Sequence, residues 1–307
     1  MKVLITGGAG FIGSHLAEHF QGRAEVRILD DLRTGHLHNL AGLKVEFIRG
    51  SILDFPTVRA AMQDIDYVFH LAAVISVPES VRNPRACVET NVIGLLNVLE
   101  AGAQAGVRKL CFSSSAAVYG DSPIVPKREE MCPEPRSPYA MTKLDGEFYC
   151  RQFTEEGRLE TVALRFFNVF GPRQDPAGPY AAAVPIFFRQ ALAGNPLTIY
   201  GDGGQTRDFI YVKDIVAALE FAATTAGVTG VFNAGYGEQI TILELAQRIL
   251  SLTDSRSQIR FEPMRPGDVR YSCSSVQRLR SAGFRPQGTL SEGLRQTAPA
   301  MLTTLVE

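Results

Sequence analysis

A tyrosine and a lysine four residues apart, in the segment SPYAMTK, could together do acid–base chemistry. On a helix, Tyr139 and Lys143 would lie on one face, so the ammonium could stabilise a phenolate and depress the tyrosine pKa from its usual value of about 10. A tyrosine with a lowered pKa can act as a general base. A Tyr and a Lys at this spacing are also a common surface pair on helices, so the two residues alone leave both interpretations open.

The N-terminal segment has the order of strand, glycine-rich turn and helix that is typical of a dinucleotide site. KVLI leads into TGGAGFIG, and SHLAEHF follows with helical character. Glycines let the backbone approach a pyrophosphate, which the free N–H groups of the helix N-terminus can bind. The next strand, VRIL, ends at Asp30, about 20 residues further on, where a carboxylate would accept a hydrogen bond from a ribose 2′-hydroxyl. We therefore expect NAD as cofactor, and NADP is the alternative because Arg33 follows Asp30 closely.

Composition argues against several other classes of protein. The 307 residues include 31 basic and 32 acidic side chains, a balance that favours neither nucleic acid nor an anionic membrane as partner. We expect no signal peptide, and no apolar run approaches the ~20 residues of a membrane span, so a cytoplasmic protein is expected. The five cysteines form no CxxC pair and the five histidines lack ligand spacing, which predicts reduced thiols and no metal.

Short aliphatic runs alternate with helical stretches up to about residue 165. These runs are KVLI, VRIL, VEFI, YVFHLAA, KLCFSSS and TVALRF. The alternation predicts an α/β fold, a Rossmann-type doubly wound parallel sheet, with a smaller α/β substrate domain. We place the first domain at residues 1–165 and the second at 166–307. The two should be partly interleaved, because VKDIVAALEFAATT and VFNAGY resemble a further helix and strand of the main sheet.

The polar and glycine motifs of the first domain follow its predicted strands. In an open parallel sheet the ligand crevice lies at the carboxyl ends of the strands. The candidates that fall there are Gly7, Asp30, Ser51 with Ile52, Leu71 to Ala73, and Ser113 to Ser115.

The combination of GGAGFIG, Asp30, SSS, YAMTK and GDGGQTRDFIYV resembles the extended short-chain dehydrogenase/reductase family, and within it the nucleotide-sugar 4-epimerases. The resemblance covers essentially the whole chain. It implies that Ser115, Tyr139 and Lys143 form the catalytic triad. It also implies a cofactor site lined by Gly7, Gly10, Phe11, Ile12, Gly13, Asp30, Asp31, Leu32, Arg33, Thr34, Gly35, Ser51, Ile52, Leu71, Ala72, Ala73, Asn91, Ser113, Tyr139, Lys143 and Phe166. Ser51 departs from the family, which usually has an acid there.

The same resemblance implies a UDP-sugar site and a reaction. Its residues would be Ser115, Ala116, Ala117, Tyr139, Asn168, Ala183, Val184, Thr198, Tyr200, Arg207, Arg265, Asp268 and Ser272. Related dehydratases carry an Asp-Glu pair after the hydroxyl residue, whereas this chain has Ala116 and Ala117, which offer no acid for eliminating water. We therefore expect C4 inversion through a 4-keto sugar, with the hydride passing to NAD and back.

Ser272 stands where some family members have a tyrosine that crowds the sugar. This small residue leaves room for an N-acetyl group, so we expect UDP-N-acetylglucosamine and UDP-N-acetylgalactosamine as substrates, with UDP-glucose and UDP-galactose tolerated. A UDP-glucuronate 4-epimerase or decarboxylase, and a non-catalytic nucleotide-sugar binding protein, are the alternatives. The helix at NVIGLLNVLEA and the helix of Tyr139 carry more apolar residues than one buried face needs, which favours a homodimer through a four-helix bundle.

Overall fold

The computed structural model describes residues 1–176, 182–264 and 269–303. A π-helical turn at Glu89–Ile93 and 3₁₀ turns at Leu37–Leu40 and Ala116–Tyr119 supplement the regular elements. The strands are β1 (Lys2–Thr6), β2 (Glu25–Asp30), β3 (Glu46–Arg49), β4 (Tyr67–His70), β5 (Lys109–Ser115), β6 (Glu160–Phe166), β7 (Asn168–Phe170), β8 (Leu197–Tyr200), β9 (Thr206–Arg207), β10 (Phe209–Tyr211), β11 (Gly230–Ala234), β12 (Ile240–Thr241) and β13 (Ile259–Glu262). The helices are α1 (Phe11–His19), α2 (Phe55–Ala61), α3 (Val77–Arg82), α4 (Pro84–Val88), α5 (Gly94–Ala105), α6 (Pro138–Glu155), α7 (Ala183–Leu192), α8 (Val212–Thr224), α9 (Ile242–Leu252), α10 (Gln277–Ser281) and α11 (Leu290–Thr303).

The central sheet is a doubly wound parallel sheet of seven strands in the order β11-β6-β5-β4-β1-β2-β3. Its inner strands are continuous apolar runs because helices cover both faces. In β1, for example, Val3, Leu4 and Ile5 are fully buried. The six strands predicted from the aliphatic runs are all present, and β11 pairs with β6 as VFNAGY indicated. The predicted fold class is confirmed.

The smaller part of the structure consists of two-stranded pairs and helices. β7 pairs with β10, β8 with β13, and β9 with β12, while α7 packs against α9 and α11. One apolar cluster runs from Ile5 of the sheet through Ile215 of α8 to Phe188 of α7 and Leu245 of α9. Because this core is continuous, the central sheet and the smaller part are held against each other.

Two negative findings apply to the described residues only. No helix among them has the length and apolar character that crossing a bilayer requires. Within the same ranges, no three His, Cys, Asp or Glu side chains are grouped as ligands for a metal ion.

Candidate active site

The glycine turn between β1 and α1 forms a narrow groove that only glycine permits. Gly7 has φ of +73°, and a Cβ there would lie 2.7 Å from the backbone nitrogen of Ala72. At Gly13 a Cβ would overlap the carbonyl of Gly7. The backbone surface after β1 is therefore bare, and Gly10 begins α1 without a side-chain cap. This is the surface that a pyrophosphate needs, so the residues present fit a dinucleotide.

Asp30 lies at the carboxyl end of β2 with its carboxylate held by two backbone amides. Oδ2 accepts a hydrogen bond from Ala9 N at 2.9 Å, and Oδ1 accepts one from Leu32 N at 2.8 Å. Burial raises the pKa of Asp30, while these two amides act in the opposite direction. Each carboxylate oxygen retains a lone pair that could accept from a ribose hydroxyl. The carboxylate is therefore fixed in place before any ligand arrives.

The other predicted cofactor residues lie on the same edge of the sheet. Ser51 follows β3, and its Oγ accepts from Leu53 N at 3.2 Å. Leu71 follows β4 and donates its backbone N–H to Thr6 O at 3.1 Å, which ties this loop to the glycine turn. Phe166 is the last residue of β6. The rest are the first residues of α1, Phe11 and Ile12, the loop Asp31, Leu32, Arg33, Thr34 and Gly35 after β2, the buried Ile52, and Ala72 with Ala73.

Asn91, which the resemblance places at the cofactor, is buried, and both polar atoms of its side chain form hydrogen bonds within the protein. Its Oδ1 accepts from Val74 N at 2.7 Å, and its Nδ2 donates to Val74 O and to Thr142 Oγ1, each at 3.0 Å. Asn91 lies in the π-helical turn rather than in a regular helix. Its side chain therefore connects the loop after β4 to α6, the helix that carries Tyr139.

The three predicted catalytic residues come together where β5 meets α6. Ser115 is the last residue of β5, and its hydroxyl lies close enough to Tyr139, the second residue of α6, to act on the tyrosine pKa. α6 begins there because Ser137 caps it, accepting from Ala140 N at 3.2 Å, and Pro138 follows at the first helical position. Lys143 lies one turn further along, with Nζ 5.9 Å from the centre of the Tyr139 ring. The structure thus assembles the predicted triad.

In the protein without cofactor, the pKa of Tyr139 is raised, so the lowering that we expected from Lys143 is wrong for this state. Burial raises the pKa of Tyr139, and the hydrogen bond from Ser115 opposes that rise. Burial also lowers the pKa of Lys143 to about 8, and its ammonium donates to the Ser113 carbonyl at 2.7 Å. The physical reason is that both groups are buried and have lost water, which disfavours the charged form of each.

A histidine behind the triad stays uncharged. The ring of His70 is buried, with Nδ1 2.8 Å from Thr6 Oγ1, and its carbonyl accepts from Ser113 Oγ at 2.9 Å. Burial and the nearby charge of Lys143 lower the pKa of His70 to about 3. Lys143 is therefore the cation of this cluster at neutral pH.

Most of the predicted substrate residues lie in the smaller part of the structure. Arg207 lies in β9, and the next residue, Asp208, is fully buried and accepts from the backbone of Tyr236, Gly237 and Ser274. Ser272 N donates to Thr206 O at 3.2 Å, so Ser272 lies beside β9. Asn168 begins β7, Thr198 and Tyr200 lie on β8, Ala183 and Val184 begin α7, and Ala116 and Ala117 follow Ser115. Arg265 and Asp268 lie outside the described residues.

The structure brings two further residues to the site that the sequence did not reveal. Gln205 is buried beside Arg207, and its amide donates to Tyr200 O at 2.8 Å, whereas its Oε1 has no partner among the described residues. Ser80 is fully buried, and its hydroxyl accepts from the backbone N–H of Tyr139 at 3.1 Å. Gln205 is the first residue of the QTRD run that contains Arg207, whereas nothing in the sequence linked Ser80 to α6.

Comparisons with known proteins agree with this geometry. Residues 3–235 match the model of the NAD dependent epimerase/dehydratase family. The chain is 39% identical to a UDP-glucose 4-epimerase of Mycolicibacterium smegmatis, covering 97% of both chains. It also resembles the solved structure of a UDP-N-acetylglucosamine 4-epimerase from Methanobrevibacter ruminantium in complex with UDP-N-acetylmuramic acid, with 38% identity, a TM-score of 0.95 and coverage of 99% and 98%. A UDP-glucuronic acid decarboxylase of Danio rerio is 34% identical over 96% of this chain and 71% of its own.

The family match confirms the predictions of an NAD-dependent enzyme and of the extended short-chain dehydrogenase/reductase resemblance. The roles of the individual site residues stay predictions. The glycine turn, the assembled Ser, Tyr and Lys side chains and the matches with known proteins agree, and the chain belongs to the NAD-dependent epimerase/dehydratase family.

Proposed function

We propose that this enzyme inverts C4 of UDP-N-acetylglucosamine and UDP-N-acetylgalactosamine, and that it also accepts UDP-glucose and UDP-galactose. The observation that carries the reaction is the meeting of Ser115, Tyr139 and Lys143 at the carboxyl edge of the sheet, next to the glycine turn. A hydroxyl, a phenol and an ammonium at this edge can together remove the proton of a sugar hydroxyl while the carbon that carries the hydroxyl loses a hydride.

The protein residues handle the proton and the oxygen. When bound, NAD supplies the hydride acceptor and a positive charge at its nicotinamide ring. Tyr139 takes the proton from the sugar 4-hydroxyl, and Ser115 donates a hydrogen bond to the same oxygen as it becomes a carbonyl. With NAD bound, the positive charges of the nicotinamide ring and of Lys143 would oppose the effect of burial and favour the deprotonated tyrosine. The 4-keto sugar then turns within the cleft, and Tyr139 returns the proton to the oxygen as C4 is reduced on its other face, so C4 is inverted.

We assign to Arg207 the role of holding the diphosphate while the sugar turns. It lies in β9, which the buried Asp208 fixes through three backbone amides. An arginine on a rigid strand can bind phosphate with good geometry because its fork of donors is planar. Holding the substrate by the diphosphate rather than by the sugar leaves the ring free to rotate.

The size of Ser272 supports N-acetylated substrates. Its side chain is half-buried beside β9, and the bridge between Thr206 and Tyr271 fixes the segment that carries it. A tyrosine at this position would fill the space that an acetamido group needs. Small pockets discriminate by excluding volume, so one side chain can decide between sugars.

A substrate panel tests this proposal. The purified enzyme is incubated with each of the four UDP-sugars, and C4 epimers are separated by chromatography. Ser272→Tyr should suppress turnover of the N-acetylated pair and spare UDP-glucose, whereas the size-neutral control Ser272→Ala should keep both. Equal loss of both substrate classes in Ser272→Tyr would refute the argument from size.

A UDP-glucuronate 4-epimerase or decarboxylase is the second candidate, because the similar Danio rerio protein is a decarboxylase. Such an enzyme shares the oxidation at C4 but must also recognise a carboxylate at C6. Incubation with UDP-glucuronate distinguishes the two. Release of CO₂ or formation of UDP-galacturonate, faster than epimerisation of the neutral sugars, would favour this alternative.

A non-catalytic binding protein is the alternative from another class. The assembled triad argues against it, since a protein that only binds has no need of a buried phenol and ammonium. Tyr139→Phe removes the proton acceptor and keeps the ring. The variant should bind UDP-sugar and lose epimerisation; full retention of biological activity by Tyr139→Phe would favour the binding protein.

We also infer a homodimer. Ile75, Val81, Ile93, Met141 and Phe148 are between 46% and 66% exposed and lie on or beside α3, the π-helical turn and α6, which pack together. Apolar side chains exposed in one region indicate an interface. Sedimentation at micromolar concentration should give a dimer, and Phe148→Glu should give a monomer. A wild-type protein that sediments only as a monomer would refute this inference.

A further inference from the structure

A buried row of polar side chains crosses the central sheet beneath the triad. Ser114, Arg165 and Asn233 lie directly opposite one another on β5, β6 and β11. Successive side chains of a strand alternate between faces, so Ser114 points away from Ser113 and Ser115, toward α6. There it meets Glu147, which lies one turn beyond Lys143 on the same face of the helix.

Both carboxylate oxygens of Glu147 accept hydrogen bonds. Its Oε1 accepts from Ser114 Oγ at 2.5 Å and from Arg165 Nε at 2.8 Å, and its Oε2 accepts from the Arg165 guanidinium at 2.7 Å. The side chains of Arg165 and Glu147 are only 4% and 5% exposed. A buried two-pronged pair of this kind adds little to net stability but fixes the geometry of the segments it joins.

Arg165 also reaches the other side of the site. Its guanidinium carbon lies 4.7 Å from the centre of the Tyr119 ring, and Tyr119 Oη donates to Asn233 Oδ1 at 2.7 Å. Tyr119 ends the 3₁₀ turn that Ser115 caps. One guanidinium is therefore connected both to the turn of Ser115 and to the helix of Tyr139 and Lys143.

We propose that Arg165, Glu147 and Ser114 are positioning residues that set the distance between Ser115 and Tyr139. None of the three needs to touch the substrate. They act by locking α6 to β5 and β6, so that the phenol and the serine hydroxyl share one sugar oxygen. This inference rests on the proposed function. Misplacing a reacting group by about 1 Å can cost about 100-fold in rate, so even a small shift of α6 should be visible.

Ser114→Ala is the most informative test, because it removes the link to β5 and leaves the Arg165–Glu147 pair intact. Thr161→Val is the matched control: Thr161 is also buried on β6 and bonds to the far end of α6, donating to Cys150 O at 2.7 Å. Both variants lose one buried hydroxyl that ties a strand to the same helix. Ser114 bonds to Glu147, one turn from Lys143, whereas Thr161 bonds to Cys150, about two turns from Lys143.

In the NAD-loaded enzyme, Ser114→Ala should lower kcat about tenfold or more, with KM for the UDP-sugar changed less than about twofold. With substrate deuterated at C4, its kinetic isotope effect should rise, because hydride transfer becomes slower relative to other steps. Backbone hydrogen exchange at residues 139–143 should also increase. Thr161→Val should lower Tm by a similar amount and leave kcat, the isotope effect and this exchange unchanged.

The outcomes separate the two proposals. Equal effects of Ser114→Ala and Thr161→Val on kcat, or unchanged exchange at residues 139–143 in Ser114→Ala, would overturn the positioning role. Absence of epimerisation by the unaltered enzyme would instead refute the proposed function, and the exchange experiment would still test the lock on α6.

Discussion

Replacing Gly7 by alanine should lower the free energy of unfolding by much more than the unfavourable backbone conformation alone explains. The residue has φ of +73°, a conformation that costs an L-residue roughly 1–2 kcal/mol. The new Cβ would also lie 2.7 Å from Ala72 N and 2.9 Å from Ala72 Cα. Because the obstacle is backbone, the loop after β4 must move, which adds about 1–3 kcal/mol of overpacking. We expect a total loss of about 2–5 kcal/mol in the free energy of unfolding.

Gly22 provides the matched control, since its φ is +72° and a Cβ there meets nothing within 4 Å. Gly22→Ala should therefore show the backbone cost alone, about 1–2 kcal/mol. The free energy of unfolding is measured by urea titration without added NAD, and NAD affinity is measured separately. Gly7→Ala should also weaken NAD binding at least about tenfold, because the displaced loop lines the groove. Equal losses of stability in the two variants would refute the close approach of the turn and loop.

Two further substitutions test the charges of the site. Lys143→Met should raise stability by at most about 3 kcal/mol below pH 8, because the buried ammonium, whose pKa falls from 10.5 to about 8, is removed. Between about pH 8 and pH 10.5, the unfolded wild type holds a proton that the folded form has lost, so the stability of the wild type rises with pH. The stability difference between Lys143→Met and the wild type, measured by urea titration, should therefore shrink over this range. A difference that stays constant would contradict the burial of the ammonium. Asp30→Asn should weaken NAD binding about tenfold or more and improve the relative affinity for NADP, as measured by titration, because a charged acceptor is lost. An unchanged ratio of the two affinities would exclude Asp30 from the ribose contact.

The sequence predicted the fold because its signals are local. Continuous aliphatic runs indicated the parallel strands, and Ser137 with Pro138 marks the start of α6. The glycine turn and Asp30 were found for the same reason, since one segment of about 30 residues contains the whole cofactor motif.

The contacts that the sequence did not reveal join residues that are distant along the chain. Ser114 and Arg165 face each other only because β5 pairs with β6 in one register, and Ser80 meets Tyr139 across 59 residues of chain. The spacing of Tyr139 and Lys143 was interpreted correctly as one helix face, but spacing says nothing about burial, which raises the pKa of the tyrosine. Glu147, four residues after Lys143, was the one detectable signal of the buried pair.

Retention of deuterium at C4 tests the central claim most directly. The enzyme is incubated with UDP-sugar deuterated at C4, in ordinary water with NAD and without added reductant, and the epimer is analysed by NMR. A hydride that leaves and returns within one closed site should keep the deuterium at C4 of the product. Formation of the epimer with hydrogen from solvent at C4, or loss of CO₂ from UDP-glucuronate in place of any epimer, would contradict the account.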